Sequence, residues 1–176
     1  MGQPWPGARL ADQEESGTNA FGSVREMFIM KNRQRRLKVM LSIGGGSAAA
    51  SFGPASATDE RRRLFASSAV KLVTNWGFDG IDIDWEWPAN TTQFANYVEL
   101  LKATRAAFDQ YIQENGLDYR FKLGTAASAD PKVYEKMDVA AVNDHVDVWW
   151  VPIFPLLCST PDATCAFSLV PQSLAD

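Results

Sequence analysis

The sequence predicts an α/β fold of repeated parallel crossover units, and three observations predict it. Strand-length apolar runs alternate with helical stripes from residue 17 to residue 151. The connections between them are of ordinary crossover length, which suits parallel strands. An acid-rich run closes the second of these strands at its C-terminal end, where barrel enzymes keep their chemistry. No glycine-rich phosphate loop leads from a strand into a helix: Gly44-Gly45-Gly46 lacks both the G-x-G-x-x-G spacing and a following Lys-Ser or Lys-Thr. The expectation is therefore part of a TIM (β/α)8 barrel, about four of its eight strands with their crossover helices, rather than an open doubly wound sheet.

Residues 1–16 are polar and irregular, with Pro4, Pro6 and Gly7 ahead of Asp12, Glu14 and Glu15, and read as an N-terminal loop or disordered segment. Thr18 or Asn19 can cap a helix to about residue 32, with Phe21, Val24 and Phe28 on one stripe. Residues 37–43 are a buried strand that opens at Gly44 into a loop. Thr58, Asp59 and Glu60 start a helix to about Trp76, whose expected inward face is Leu64, Phe65, Ala69, Leu72 and Val73, and Gly77 stops it. The strand of residues 78–88 follows. Asn90 and Gln93 form a capping pair for the most regular stripe in the chain, Phe94, Tyr97, Val98, Leu101 and Phe108, closed near Gly116. Residues 120–127 read as a strand, Asp130-Pro131 as a cap and first-turn proline, residues 133–142 as a helix, and residues 146–151 as a further strand.

Composition narrows the function classes. The net charge is −4, from 17 Lys and Arg against 21 Asp and Glu, and the short cluster Arg33, Arg35, Arg36, Lys38 suits a solvated helix end better than a nucleic-acid footprint. No apolar run is long enough to span a membrane, and residues 1–10 do not read as a signal peptide. Cys158 and Cys165, the two cysteines, have no nearby histidine and stay unassigned. Asn90-Thr91-Thr92 is a glycosylation sequon, of consequence only in a secreted protein.

The chemistry concentrates in F-D-G-I-D-I-D-W-E-W-P, residues 78–88. On an extended strand Asp82, Asp84 and Glu86 project from one face and Ile81, Ile83 and Trp85 from the other, so Trp85 is assigned to core packing. Successive acids are spaced about 6.6 Å along the backbone, close enough to couple their titrations. Such a ladder is costly to bury and hard to explain by stability alone. A divalent-cation site is the competing reading, but the chain lacks the glycine and the spaced final Glu of a calcium loop, and no metal is assigned. Asp79 is out of phase with the ladder and reads as a hydrogen-bonding strand-end residue. Ser42 reads as a packed strand residue rather than a nucleophile, because His145, the single histidine, begins a distant strand. Trp87, beyond the strand end, is open to either core or substrate.

These residues resemble the active-site signature D-G-x-D-x-D-x-E of glycoside hydrolase family 18 chitinases, with Asp79, Gly80, Asp82, Asp84 and Glu86 in place. Ser42-Ile43-Gly44-Gly45, one crossover unit upstream, is similar to the family's S-x-G-G motif. The similarity, to the fungal type, extends from about residue 17 to residue 149 and makes the four strands the third to sixth of the barrel. It implies hydrolysis of β-1,4-linked N-acetylglucosamine polymers with retention, assisted by the substrate, an exception to the general two-carboxylate scheme. It further implies Glu86 as proton donor, Asp84 as the residue that holds the acetamido group, Asp82 as its partner, and Gly44, Gly45 and Trp87 at the substrate. Asp79, Gly80 and Ser42 would be structural. No cofactor, nucleic acid or membrane is implied, secretion is, and oligomeric state is left open.

The family's Met-x-Tyr-Asp motif should fall on Pro152-Ile153-Phe154-Pro155 and is absent, and Gly46 stands where a tryptophan often follows S-x-G-G. Residues 17–151 are therefore read as a partial catalytic domain, and residues 152–176 as a divergent tail in which a frame change or retained intron begins near Trp150. Two further readings stand beside the hydrolase: a chitin-binding lectin without turnover, and a nonfunctional fragment.

Overall fold

A computed structural model describes residues 22–151. Its sheet has four strands, β1 (Met40–Gly44), β2 (Gly80–Asp84), β3 (Lys122–Ala126) and β4 (Val148–Trp150), in the order β1-β2-β3-β4 and parallel throughout. The helices are α1 (Gly22–Arg33), α2 (Ala49–Ser56), α3 (Asp59–Trp76), α4 (Thr91–Asn115), α5 (Pro131–Tyr134) and α6 (Val139–Asn143), with one turn of 3-10 helix, Gly46–Ala48, leading into α2. Sequential parallel strands joined through helices are the crossover unit of an α/β barrel, and the chain forms four strands of one.

The long helices start and stop where local chemistry dictates. Thr58 accepts the Arg61 N–H at the start of α3, and Gly77 ends it at φ 69°. Asn90 accepts the Gln93 N–H at 3.0 Å, while the Gln93 side chain accepts the Ala89 N–H at 2.8 Å, one residue earlier than a capping box places it. Gly116 closes α4 at φ 60°.

The core lies between the sheet and helices α3 and α4. Ile81, Ile83 and Trp85 point into it from β2 and the residue that follows, and meet Val73, Phe94, Tyr97, Leu101 and Phe108. Trp85 is 1% exposed, stacked on Phe52 and edge-on to Tyr97, as its parity predicts.

Several expectations are corrected. The buried stripe of α3 is Ala66, Ala69 and Val73; Leu64 and Leu72, expected inside, are 67% and 37% exposed. Each lies one residue, about 100°, off Phe65 and Val73, and the small alanines let α3 approach α4 closely. Phe28 is 60% exposed, and α1 buries no residue fully. The loop expected after Gly44 is largely helical, and its Phe52 joins the core. The helix expected over residues 133–142 is two short helices, α5 and α6, because Asp138 starts a new one by accepting the Ala141 N–H. The strands are shorter than expected; in particular β2 ends at Asp84, so Glu86 lies past its end. Thr18, Asn19, Phe21, Cys158, Cys165 and the tail of residues 152–176 lie outside the described residues.

Candidate active site

The carboxylates gather at the C-terminal end of β2. Asp82 is 7% exposed, while Asp84 and Glu86 are half-buried. The Ser42 hydroxyl, facing Asp82 from β1 in register, donates to Asp82 Oδ2 at 2.8 Å. Asp84 and Glu86 hydrogen-bond to each other. On the far side, Gly124 of β3 is in register with Asp82, and a Cβ there would fall 2.8 Å from Asp82 Oδ1 and 2.9 Å from Trp150 Nε1. Gly124 therefore makes the room that Asp82 occupies, a use of strand glycine signalled by its place inside an apolar strand pattern. Asp82 Oδ1 and Trp150 Nε1 are both buried without a hydrogen-bond partner, although the indole N–H is near enough to favour the charged form of Asp82.

Burial pushes Asp82 up to about 6; the Asp84 charge adds to the rise and the Ser42 hydroxyl opposes it. Burial also raises Asp84, against the hydrogen bond from Glu86. Glu86 is raised by burial first, then by the Asp84 charge and by the hydrogen bond between them. All three carboxylates are thus held above their ordinary values, the direction a general acid needs.

This has a stability consequence with a definite sign. An aspartate whose folded value exceeds its ordinary 3.8 costs nothing below that value, where both states are protonated, and its full cost appears above about 6. The cost at neutral pH is on the order of 3 kcal/mol. Wild-type chain is therefore expected to lose stability relative to Asp82→Asn as pH rises from about 4 to about 6. Thermal melts across that window check it; parallel curves for the two proteins would contradict it.

The remaining sequence-selected residues have distinct places. Gly44 and Gly45 pack against β2: a Cβ on Gly44, at φ 133°, would fall 2.0 Å from the Asp84 carbonyl oxygen, and the Gly45 N–H donates to that oxygen at 2.8 Å. A Cβ on Gly46 would lie 3.6 Å from Glu86 Oε2, so the acid rests over this glycine. Trp87 is half-buried beyond a cis Glu86–Trp87 peptide and lines a groove of about 610 Å³ with Ala49, Gly53, Arg61 and Gln93.

Asp79 and Gly80 lie at the opposite end of β2 from Glu86. Asp79 accepts the Val39 N–H at 2.7 Å and the Tyr119 hydroxyl at 2.8 Å, and pairs with Lys31 at 2.7 Å. Burial works against its charge, but Lys31, the Val39 N–H and Tyr119 outweigh it and hold its carboxyl below the ordinary value. A Cβ on Gly80 would fall 2.0 Å from the Lys122 carbonyl oxygen, so this glycine lets β2 and β3 meet. Sequence reasoning missed Gly124 and the proximity of Trp150 to Asp82. Among the described residues no group of three or more His, Cys, Asp or Glu is placed to hold a metal ion, and no helix is long and apolar enough to cross a membrane.

A parallel sheet covered by crossover helices, with three carboxylates at the C-terminal end of one strand, is the arrangement of an α/β-barrel domain. The profile of Glycosyl hydrolases family 18 matches residues 8–166, and the chain belongs to that family. It is 44% identical over 131 residues to Chitinase 1 of Aphanocladium album, covering 74% of this chain and 31% of that protein. It is 42% identical over 135 residues to Endochitinase 1 of Metarhizium anisopliae, covering 75% and 32%. The chain thus spans about a third of the length of these curated relatives. Among solved structures, a family 18 N-acetylglucosaminidase from Paenibacillus barengoltzii aligns at TM-score 0.68 and 30% identity, over 78% of this chain and 41% of that one. A class V chitinase from Nicotiana tobaccum, solved in complex with NAG4, aligns at 0.67 and 26%, over 73% and 38%.

Proposed function

We propose that this chain carries the acid machinery of a chitinase: hydrolysis of β-1,4-linked N-acetylglucosamine polymers, with retention and assistance from the substrate's own acetamido group. The observation that carries the reading is the hydrogen-bonded pair of Asp84, the last residue of β2, and Glu86, just past it, with Asp82 buried behind them. Glu86 donates its proton to the glycosidic oxygen as the bond to the anomeric carbon breaks. The acetamido carbonyl oxygen attacks that carbon, giving a cyclic oxazolinium, while Asp84 accepts a hydrogen bond from the acetamido N–H. Glu86, now a carboxylate, takes a proton from water as the water attacks the anomeric carbon from the face the leaving sugar vacated and breaks the oxazolinium ring C–O bond, and the proton donor is restored. Asp82, held by Ser42, shares a proton with Asp84 and so sets how much charge Asp84 carries.

The domain reading for residues 17–151 and the separate tail of residues 152–176 belong to this proposal, as do a substrate-facing role for Trp87 and secretion. Fungal chitinases among the relatives support the substrate class. The test is release of a fluorescent leaving group from a chitobiose glycoside by purified chain, with the anomer of the first-formed sugar read by proton NMR. Turnover giving the β-anomer is expected; no turnover, or an α-anomer product, would overturn the reading.

A further inference from the structure

The ladder on the two sides of β2 has unequal length. Pairing with β1 runs through Gly44↔Asp84, whereas pairing with β3 ends at Ile83↔Thr125. Past Ile83 β2 and β3 part: Asp84 stays paired with β1 alone, and Glu86 lies past the strand end. The Tyr97 hydroxyl sits in that fork. It reaches from α4, fully buried, donates to the Ile83 carbonyl oxygen at 2.7 Å and is bonded to Thr125 Oγ1. With its one proton given to Ile83, the tyrosine oxygen accepts from the threonine hydroxyl. The ring cannot swing away, because Trp85 packs edge-on against it at 5.4 Å between ring centres.

We propose that Tyr97 is a positioning residue for the carboxylate site: its hydroxyl pins the point where β2 parts from β3 and thereby fixes the approach of Glu86 to Asp84. Ile83, the residue it holds, lies between Asp82 and Asp84 in the chain, so a shift of this carbonyl moves both carboxylates. The charged groups acting on the hydroxyl are Asp82 and Asp84 of β2. Burial first, then these carboxylates, raise its pKa well above the ordinary tyrosine range, so it stays a neutral donor at every pH at which the acids titrate.

The consequence for turnover rests on the hydrolase reading, but the pin has a readout of its own. Carboxyl-carbon NMR titration of the full chain follows the Asp84 and Glu86 midpoints directly. In Tyr97→Phe the Glu86 midpoint is expected to fall measurably toward the ordinary glutamate value, because the hydrogen bond and nearby charge that raise it are loosened. Thr125→Val, which removes the other hydroxyl of the pin, is expected to shift it the same way and takes over the test if Tyr97→Phe does not fold. Thr125→Ser keeps the hydroxyl and is expected to restore the wild-type midpoint. Val73→Ala, a core truncation on α3, provides a destabilised control with wild-type midpoints. In turnover, Tyr97→Phe is expected to lower kcat roughly tenfold with KM nearly unchanged, as misplacement of a reacting group does. Wild-type midpoints in both Tyr97→Phe and Thr125→Val, or an equal shift in Val73→Ala, would overturn the pin. A wild-type chain without turnover would overturn the hydrolase reading instead, and the titration would still decide the role of Tyr97.

Discussion

Glu86→Gln is expected to lower turnover of a chitobiose glycoside by about 10²–10⁴-fold, the range for loss of a positioned general acid. Glutamine keeps the shape of the side chain and its contact over Gly46, yet its amide cannot give up a proton to a departing sugar oxygen. The loss should therefore fall on kcat with little change in KM or melting temperature. Wild-type activity should fall at the alkaline side as Glu86 loses its proton, at a pH above the ordinary glutamate value, because burial, the Asp84 charge and the Asp84 hydrogen bond all raise it. Asp84→Asn removes the charge among these causes, so whatever activity survives should lose its alkaline limb at lower pH than wild type. The two variants, assayed from pH 4 to 9, make the assignment vulnerable at two points. Activity in Glu86→Gln within tenfold of wild type, or an unmoved limb in Asp84→Asn, would each remove Glu86 from its role.

Local patterns made part of this arrangement readable in advance. Period-two alternation placed Trp85 in the core with Ile81 and Ile83, because a pleated strand sends alternate side chains to opposite faces whatever surrounds it. Thr58, Gly77, Asn90 and Gly116 marked helix ends because capping is satisfied within a turn of chain. What escaped was set at long range or by competing local signals. Gly53 and Pro54 masked α2, although Pro54 is tolerated inside it and Phe52 anchors it to Trp85. The inward face of α3 turned on how closely α4 approaches, which favoured Ala66 over Leu64. Gly124, Tyr97 and Trp150 reach the region of Asp82 from elements many residues away, so no window of sequence holds the pattern they make. The phase of Asp79, out of step with the acid ladder, did mark it as a hydrogen-bonding strand-end residue, and it is clamped by Lys31, Val39 and Tyr119 at the opposite end of β2 from Glu86.

A buried ion pair carries the largest stability effect expected, and it lies at the end of the sheet away from Glu86. Arg105 of α4, 5% exposed, pairs with Asp147 and also donates to the Phe121 carbonyl oxygen at 2.8 Å and the His145 carbonyl oxygen at 3.1 Å. Asp147, just before β4, accepts from the Leu123 N–H at 2.9 Å and from Arg120 at 3.0 Å. One guanidinium thus ties α4 to the starts of β3 and β4, which a lysine, with a single ammonium, cannot reproduce. Arg105→Ala leaves a carboxylate short of its partner and two carbonyls without donors, a loss of about 3–5 kcal/mol. Arg105→Lys should recover only a minority of that. Burial opposes the charge on Asp147, but the Leu123 N–H, Arg105 and Arg120 outweigh it and hold the folded value below 3.8. A lowered carboxylate stabilises the fold above its unfolded value, and that contribution disappears as pH falls through the folded one. The gap between wild type and Arg105→Ala should accordingly be widest near neutral pH and narrow in acid below the ordinary aspartate value. Urea titrations at pH 7 and pH 3 measure both. A loss under about 1 kcal/mol at pH 7, the value of an ordinary surface pair, would mean that this network decorates the fold rather than holding it.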